Sequence, residues 1–116
     1  MDNKIKISTS KDHPNTNILD FVGNIDSDVL TESKIPQKID WLINEEEILV
    51  FIFDFLETES IDSSTIGLAA KLAKHKKSVK IVCLENNAVY DSFEAVKLFS
   101  VLPRFDTLNN AFKSAN

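Results

Sequence analysis

Glycine is nearly missing from this chain: Gly23 and Gly67 are the only two in 116 residues. The common phosphate-cradling loops need several glycines so that their backbone can approach the anion. No such loop exists here, which excludes nucleotide enzymes built on one. Cysteine is scarcer still, with Cys83 alone, so no internal disulfide forms. The two histidines, His13 and His75, stand far apart in dissimilar settings, and no cysteine–histidine set has zinc-site spacing. Apolar runs are short: none approaches the roughly twenty residues that cross a bilayer. The opening residues, MDNKIKIS, lack the apolar centre of a secretion signal. Positive charge is in deficit, and a net charge of −5 repels phosphate backbones and anionic lipid. The expectation is a cytoplasmic protein with no cofactor or metal, no direct nucleic-acid contact and no membrane contact.

What remains is an ordinary globular composition, 43% hydrophobic, in a length that suits one domain over residues 1–116. A chain of this size buries roughly two-thirds of its unfolded surface, enough for a core without staples. Ile48-Leu49-Val50-Phe51-Ile52-Phe53 is an apolar run of strand length, rich in β-branched and aromatic residues. A strand buried on both faces reads this way. Asp54 interrupts the run, and Glu57 to Ser60 reads as a polar connection to an Ala/Leu-rich helix beginning near Ile66. Upstream, Lys4 to Ser8 alternates as a half-exposed strand, Lys11 to Asn17 with Pro14 reads as a turn, and Ile18 to Ile25 reads as a second strand. Gly23 within it marks a bulge or a close backbone approach. Ile35, Ile39, Leu42 and Ile43 form one helical face, with Pro36 suited to the first turn and Trp41 packing at its edge. Val79 to Leu84 is a further strand. Val89, Phe93, Val96 and Phe99 share a helical stripe, begun by Asp91 or Ser92. Phe105 suits a short edge strand, and Asp106-Thr107 starts a last helix. The order is β-β-α-β-α-β-α-(β)-α: an α/β fold with a mixed sheet of four to five strands and about four helices.

One constellation carries the functional reading. Asp62-Ser63-Ser64-Thr65 places capping residue types in a row just before a helix. Such a group is common capping chemistry, worth about 1 kcal/mol and needing no function. Its place at the C-terminal end of the central strand is where open α/β sheets carry functional groups. A second acidic turn, Asn24-Ile25-Asp26, follows the neighbouring strand.

These residues resemble the signature of STAS domains, specifically bacterial anti-sigma factor antagonists. The resemblance rests on Phe53-Asp54-Phe55, then Ile61-Asp62-Ser63-Ser64, then Ile66-Gly67. Gly23-Asn24-Ile25-Asp26 and Phe105-Asp106-Thr107-Leu108 with Ala111-Phe112 extend it over nearly the whole chain. It implies a phosphorylation site at Ser64, with Ser63 as an alternative, on a partner surface made by Asp26, Asp62, Ser63 and Thr65, acidic through the two aspartates. It implies a partner that is an anti-sigma factor and itself the serine kinase, so that nucleotide enters only through the partner. This chain is then a substrate and not an enzyme, and it controls transcription indirectly by partner switching. Where the family has glycine after the acceptor, this chain has Thr65, which becomes a second candidate acceptor.

Three other readings stay open on the residues alone. A STAS-like scaffold that is never phosphorylated would serve a signalling or lipid-handling complex. A receiver-like phosphorelay domain would use Asp54 as acceptor, although Ser8-Thr9-Ser10 offers no acidic pair for Mg²⁺. A small enzyme would use Asp26 and Asp62 as an acid–base pair.

Overall fold

The computed structural model describes residues 3–114. The elements run β1 (Lys4–Ser10), β2 (His13–Ile25), α1 (Ser27–Glu32), α2 (Ile35–Ile43), β3 (Val50–Ile61), α3 (Ser63–Lys74), β4 (Ser78–Val82), α4 (Ala88–Ala95), a single 3-10 turn at Leu98–Ser100, β5 (Arg104–Phe105) and α5 (Leu108–Lys113). The described strands form one sheet in the order β1-β2-β3-β4-β5. Only β1 is antiparallel to its neighbour; the other pairings are parallel. The expected α/β class, mixed sheet and element order are therefore present, with five α-helices where about four were anticipated.

Strand alternation sorts the side chains onto two faces. Leu19, Phe21, Phe51, Phe53, Phe55 and Ile81 point to the face covered by α1 to α4, where they meet Leu30, Ile39, Leu72 and Phe93. Ile18, Val50, Ile52 and Val82 point the other way, under Ala111, Leu108 and Phe112 of α5. The central run of β3 is apolar at every position because both faces are covered at its level. Beyond α5 the second face opens to solvent, and there Asp20 and Asp54 lie side by side in register.

Four expectations change in detail. β3 does not stop at Asp54 but runs on through Glu57 and Ser60 to Ile61. Its pairing with β4 ends at Asp54 opposite Val82, so the later half borders β2 alone and tolerates polar residues. Asp54 accepts a hydrogen bond from the Leu56 amide at 3.0 Å, and the β2–β3 register slips at that point. The carboxylate thus supports a bulge within a continuing strand. Likewise β2 begins at His13, with only Lys11 and Asp12 as the turn. Its register against β1 jumps between Thr9 and Ser10, and the jump accommodates Pro14, which has no N–H for a ladder. The Val89–Phe99 stripe is not one helix: α4 is capped by Asn87 and ends at Ala95, and Val96 is exposed. Trp41 does not pack at an edge; it is 64% exposed.

Gly23 meets both conditions set for it. Its φ is +91°, a bulge follows it, and a Cβ there would collide with Asn3 Oδ1. That oxygen accepts the Asn24 amide, so the close approach is part of the strand's bonding.

Candidate functional site

β2 and β3 finish level with each other, Ile25 opposite Ile61, and each hands directly to a helix. The residue after each strand is an aspartate in extended conformation, and each is a helix N-cap. Asp26 Oδ1 accepts the Val29 amide at 3.0 Å, closing the first turn of α1. Asp62 does more. Its Oδ1 accepts the Ser64 amide at 3.0 Å, and its Oδ2 accepts the Ser27 amide of α1 at 3.0 Å. The Asp62 amide in turn donates to the Ile25 carbonyl at 3.2 Å. One carboxylate therefore binds donors from two helix starts, where the positive ends of both dipoles stabilise its charge.

A polar cluster on the strands lies just beneath. Ser60 Oγ donates to Asn24 Oδ1 at 2.6 Å, and Asn24 Nδ2 donates to Glu59 Oε2 at 3.2 Å. On the β4 side, Asn87 caps α4 while its Nδ2 donates to the Thr58 carbonyl at 3.0 Å. The strand end, α1, α3 and α4 are thus laced together around the α3 start.

Ser63 and Ser64 occupy the first turn of α3 and are exposed. The cap is Asp62 rather than either serine, so neither hydroxyl is needed to close the helix. Ser64 and Ser63 are brought together with Asp62 and with Asp26 at the end of the neighbouring strand. Thr65 is not part of that surface. It is fully buried, and its Oγ1 has no hydrogen-bond partner among the described residues. Its side chain points inward because the third helical position of α3 faces the core, which removes it as a surface residue and as an accessible acceptor. Asp54 also lies elsewhere, mid-strand on the open sheet face. Its pKa is raised, chiefly by burial, against the lowering effect of the Leu56 amide. Asp20 beside it is raised as well, by burial first and then by the Asp54 and Glu57 charges.

Four capping residue types in a row do not by themselves show that Asp62 bridges two helix starts. The local signal was present: an aspartate directly before two serines is the better cap. Its second bond, to Ser27, depends on strand register and has no local signal. Within α3, Ala69 is in the core, whereas Ala70 and Ala73 line a groove with Leu98 and Val101. Cys83 is buried, and burial pushes its thiol up to about 11, as suits a packing residue. Among the described residues, no helix is long and apolar enough to cross a membrane, and no group of three or more His, Cys, Asp or Glu side chains is placed to hold a metal.

No protein-family profile matches this sequence, and no curated protein matches it significantly. Solved structures do match. The unphosphorylated anti-sigma factor antagonist SpoIIAA superposes with a TM-score of 0.72 at 15% identity, covering 93% of both chains. An anti-sigma factor antagonist from Mycobacterium paratuberculosis gives 0.75 at 15% identity, over 96% of this chain and 92% of that one. The phosphorylated form of SpoIIAA, a Bacillus cell fate determinant, gives 0.68 at 17% identity, over 93% and 96%. The fold is STAS-like, of the SpoIIAA type.

Proposed function

We propose that this protein is an anti-sigma factor antagonist working as a binding switch. Unmodified, it holds an anti-sigma factor that is also a serine kinase; phosphorylated on Ser64, it lets that partner go. Transcription responds indirectly, through the sigma factor the partner would otherwise hold. The observation that carries the proposal is the state of Ser64: exposed, in the first turn of a firmly seated helix, its amide already satisfied by Asp62. The fold supports it, since a phosphorylated form of SpoIIAA shares the architecture.

The switch works by an asymmetry of cost. A phosphate adds about −1.5 to −2 charges. On α3 itself this is favourable by roughly 0.3–1 kcal/mol, because the group sits at the positive end of the helix dipole. A partner packed over the same turn has to desolvate that charge beside Asp26 and Asp62. Burying an unpaired ion costs several kcal/mol, and each ~1.4 kcal/mol is tenfold in affinity. The partner surface centres on Ser63, Ser64 and the outer side of α3. Gly67 belongs to it: it is exposed, and a Cβ there would meet nothing within 4 Å, so a partner's backbone can come close.

One observation favours a second reading, a STAS-like scaffold that is never phosphorylated. Among the described residues no lysine or arginine forms an ion pair with Asp26, Asp28, Glu59 or Asp62. A phosphate here would join an acidic group that has no ion-pair partner. Incubation with ATP and a cognate serine-kinase anti-sigma factor, followed by peptide mass spectrometry, separates the two. Phosphate on Ser64 supports the switch. An unmodified 60–67 segment, in a mixture where the kinase binds the protein, supports the scaffold.

A further inference from the structure

A second surface, sharing no residue with the α3 start, breaks several local rules at once. Between β1 and α2 runs a groove of about 430 Å³ lined by Ile7, Lys34, Gln37, Lys38, Trp41 and Leu42. Trp41 stands 64% exposed over it, the only tryptophan in the chain. Lys34 is the N-cap of α2 in the left-handed conformation, φ 56°, and makes no side-chain cap bond. Lys38 lies one turn on, and the first turn of α2 holds no acidic residue. Two cations at the positive end of a helix dipole oppose it, and like charges at i, i+4 repel. The same chain places Lys71 and Lys74 correctly, in the last turn of α3. Among the described residues neither Lys34 nor Lys38 has an ion-pair partner, and Asp40 of α2 is turned to Lys71 instead. Local costs that bring the fold no return are expected where another molecule collects the benefit.

The groove also borders a free strand edge. Among the described residues β1 ends the sheet, and β2 pairs with one side of it only. We propose that this groove binds an extended, acidic peptide segment of another protein, which adds as a strand to β1. One apolar side chain of the segment rests on Trp41, and its carboxylates meet Lys34 and Lys38. Charge complementarity selects that occupant: the groove is basic in a chain of net charge −5. A second copy is disfavoured, because β1, KIKISTS, carries lysines and no carboxylate to meet Lys34 and Lys38. A bilayer is disfavoured too, since lipid offers no backbone groups to a strand edge and the net charge repels an anionic surface.

The test uses Trp41 as its own reporter, on the full chain. The probe is an acetylated, amidated ten-residue peptide alternating glutamate and valine, with two controls: one with inner prolines that block strand pairing, one with lysine for glutamate. The glutamate peptide is expected to shift Trp41 emission to the blue in a saturable way. Calorimetry on a Lys34→Glu/Lys38→Glu variant is expected to show at least tenfold weaker binding. That variant keeps its fold, checked by circular dichroism, because both residues are exposed and the change suits the dipole. The proline control is expected to bind at least fivefold more weakly, and the lysine control not at all. The proposal is overturned if no saturable shift occurs, or if charge reversal or proline leaves affinity unchanged. It is equally overturned if phosphatidylglycerol vesicles cause the shift, or if protein concentration alone causes it with a doubling of mass.

Discussion

At the scale of single residues, Asp62 and Thr65 play opposite parts in the first turn of α3. Asp62 satisfies the Ser64 and Ser27 amides together, so Asp62→Ala unseats two helix starts. It should cost about 2 kcal/mol, against about 1 kcal/mol for Asp26→Ala, which frees one amide. Urea melts of the two variants check the order; an equal loss would contradict the bridging role. Thr65 buries a hydroxyl that has no partner among the described residues. Replacing it by a methyl of the same shape, Thr65→Val, should be neutral or stabilise by about 1 kcal/mol, read from the same melts. A loss of that size would mean the hydroxyl has a partner. Reading residue types alone, an aspartate and three hydroxyl residues before a helix are interchangeable caps. Which one caps, which face water and which turns inward is decided by helix phase relative to the sheet. That phase is a tertiary quantity, and for this reason Thr65 was grouped with Ser63 and Ser64.

At the scale of elements, β3 taught most. Its first half was legible because both its faces are covered and every residue is apolar. Its second half was not, because polar residues in a strand flanked on one side only look like a loop. The bulge at Asp54 hides the alternation further. On the sheet face left open beyond α5, Asp20 has its pKa raised from its ordinary 3.8 by burial and by Asp54 and Glu57. Because the folded state holds this proton more tightly than the unfolded chain, the stability it contributes is present below pH 3.8. It is lost as pH rises through the folded pKa. Asp20→Asn should therefore be more stable than wild type at pH 7, and the advantage should vanish as pH falls below 3.8. Denaturation at several pH values checks this; a variant less stable at neutral pH would contradict it. In α3, Gly67 weakens a helix interior by roughly 0.5–1 kcal/mol relative to alanine. Gly67→Ala should raise stability by that amount and, on the proposed function, weaken binding of the anti-sigma factor; a thermal melt and calorimetry separate the two effects.

At the scale of the whole molecule, the strand and helix order was readable because alternating periodicities leave few topologies for a chain of this length. The position of the α3 start followed from that order. What did not follow was how the strand ends lock together, since the Asn24–Ser60 and Asp62–Ser27 bonds join residues distant in sequence. In the proposed switch, this locking lets phosphorylation act on binding and leave the fold alone. Ser64→Glu places a negative group at the start of α3 without touching any core residue, and by the dipole it should be neutral or slightly stabilising. The deciding measurement is calorimetric titration of wild type, Ser64→Ala and Ser64→Glu with the serine-kinase anti-sigma factor, alongside their thermal melts. The account predicts Ser64→Ala binding like wild type and Ser64→Glu at least tenfold weaker with its melting temperature unchanged. A folded Ser64→Glu protein that binds as tightly as wild type would contradict it.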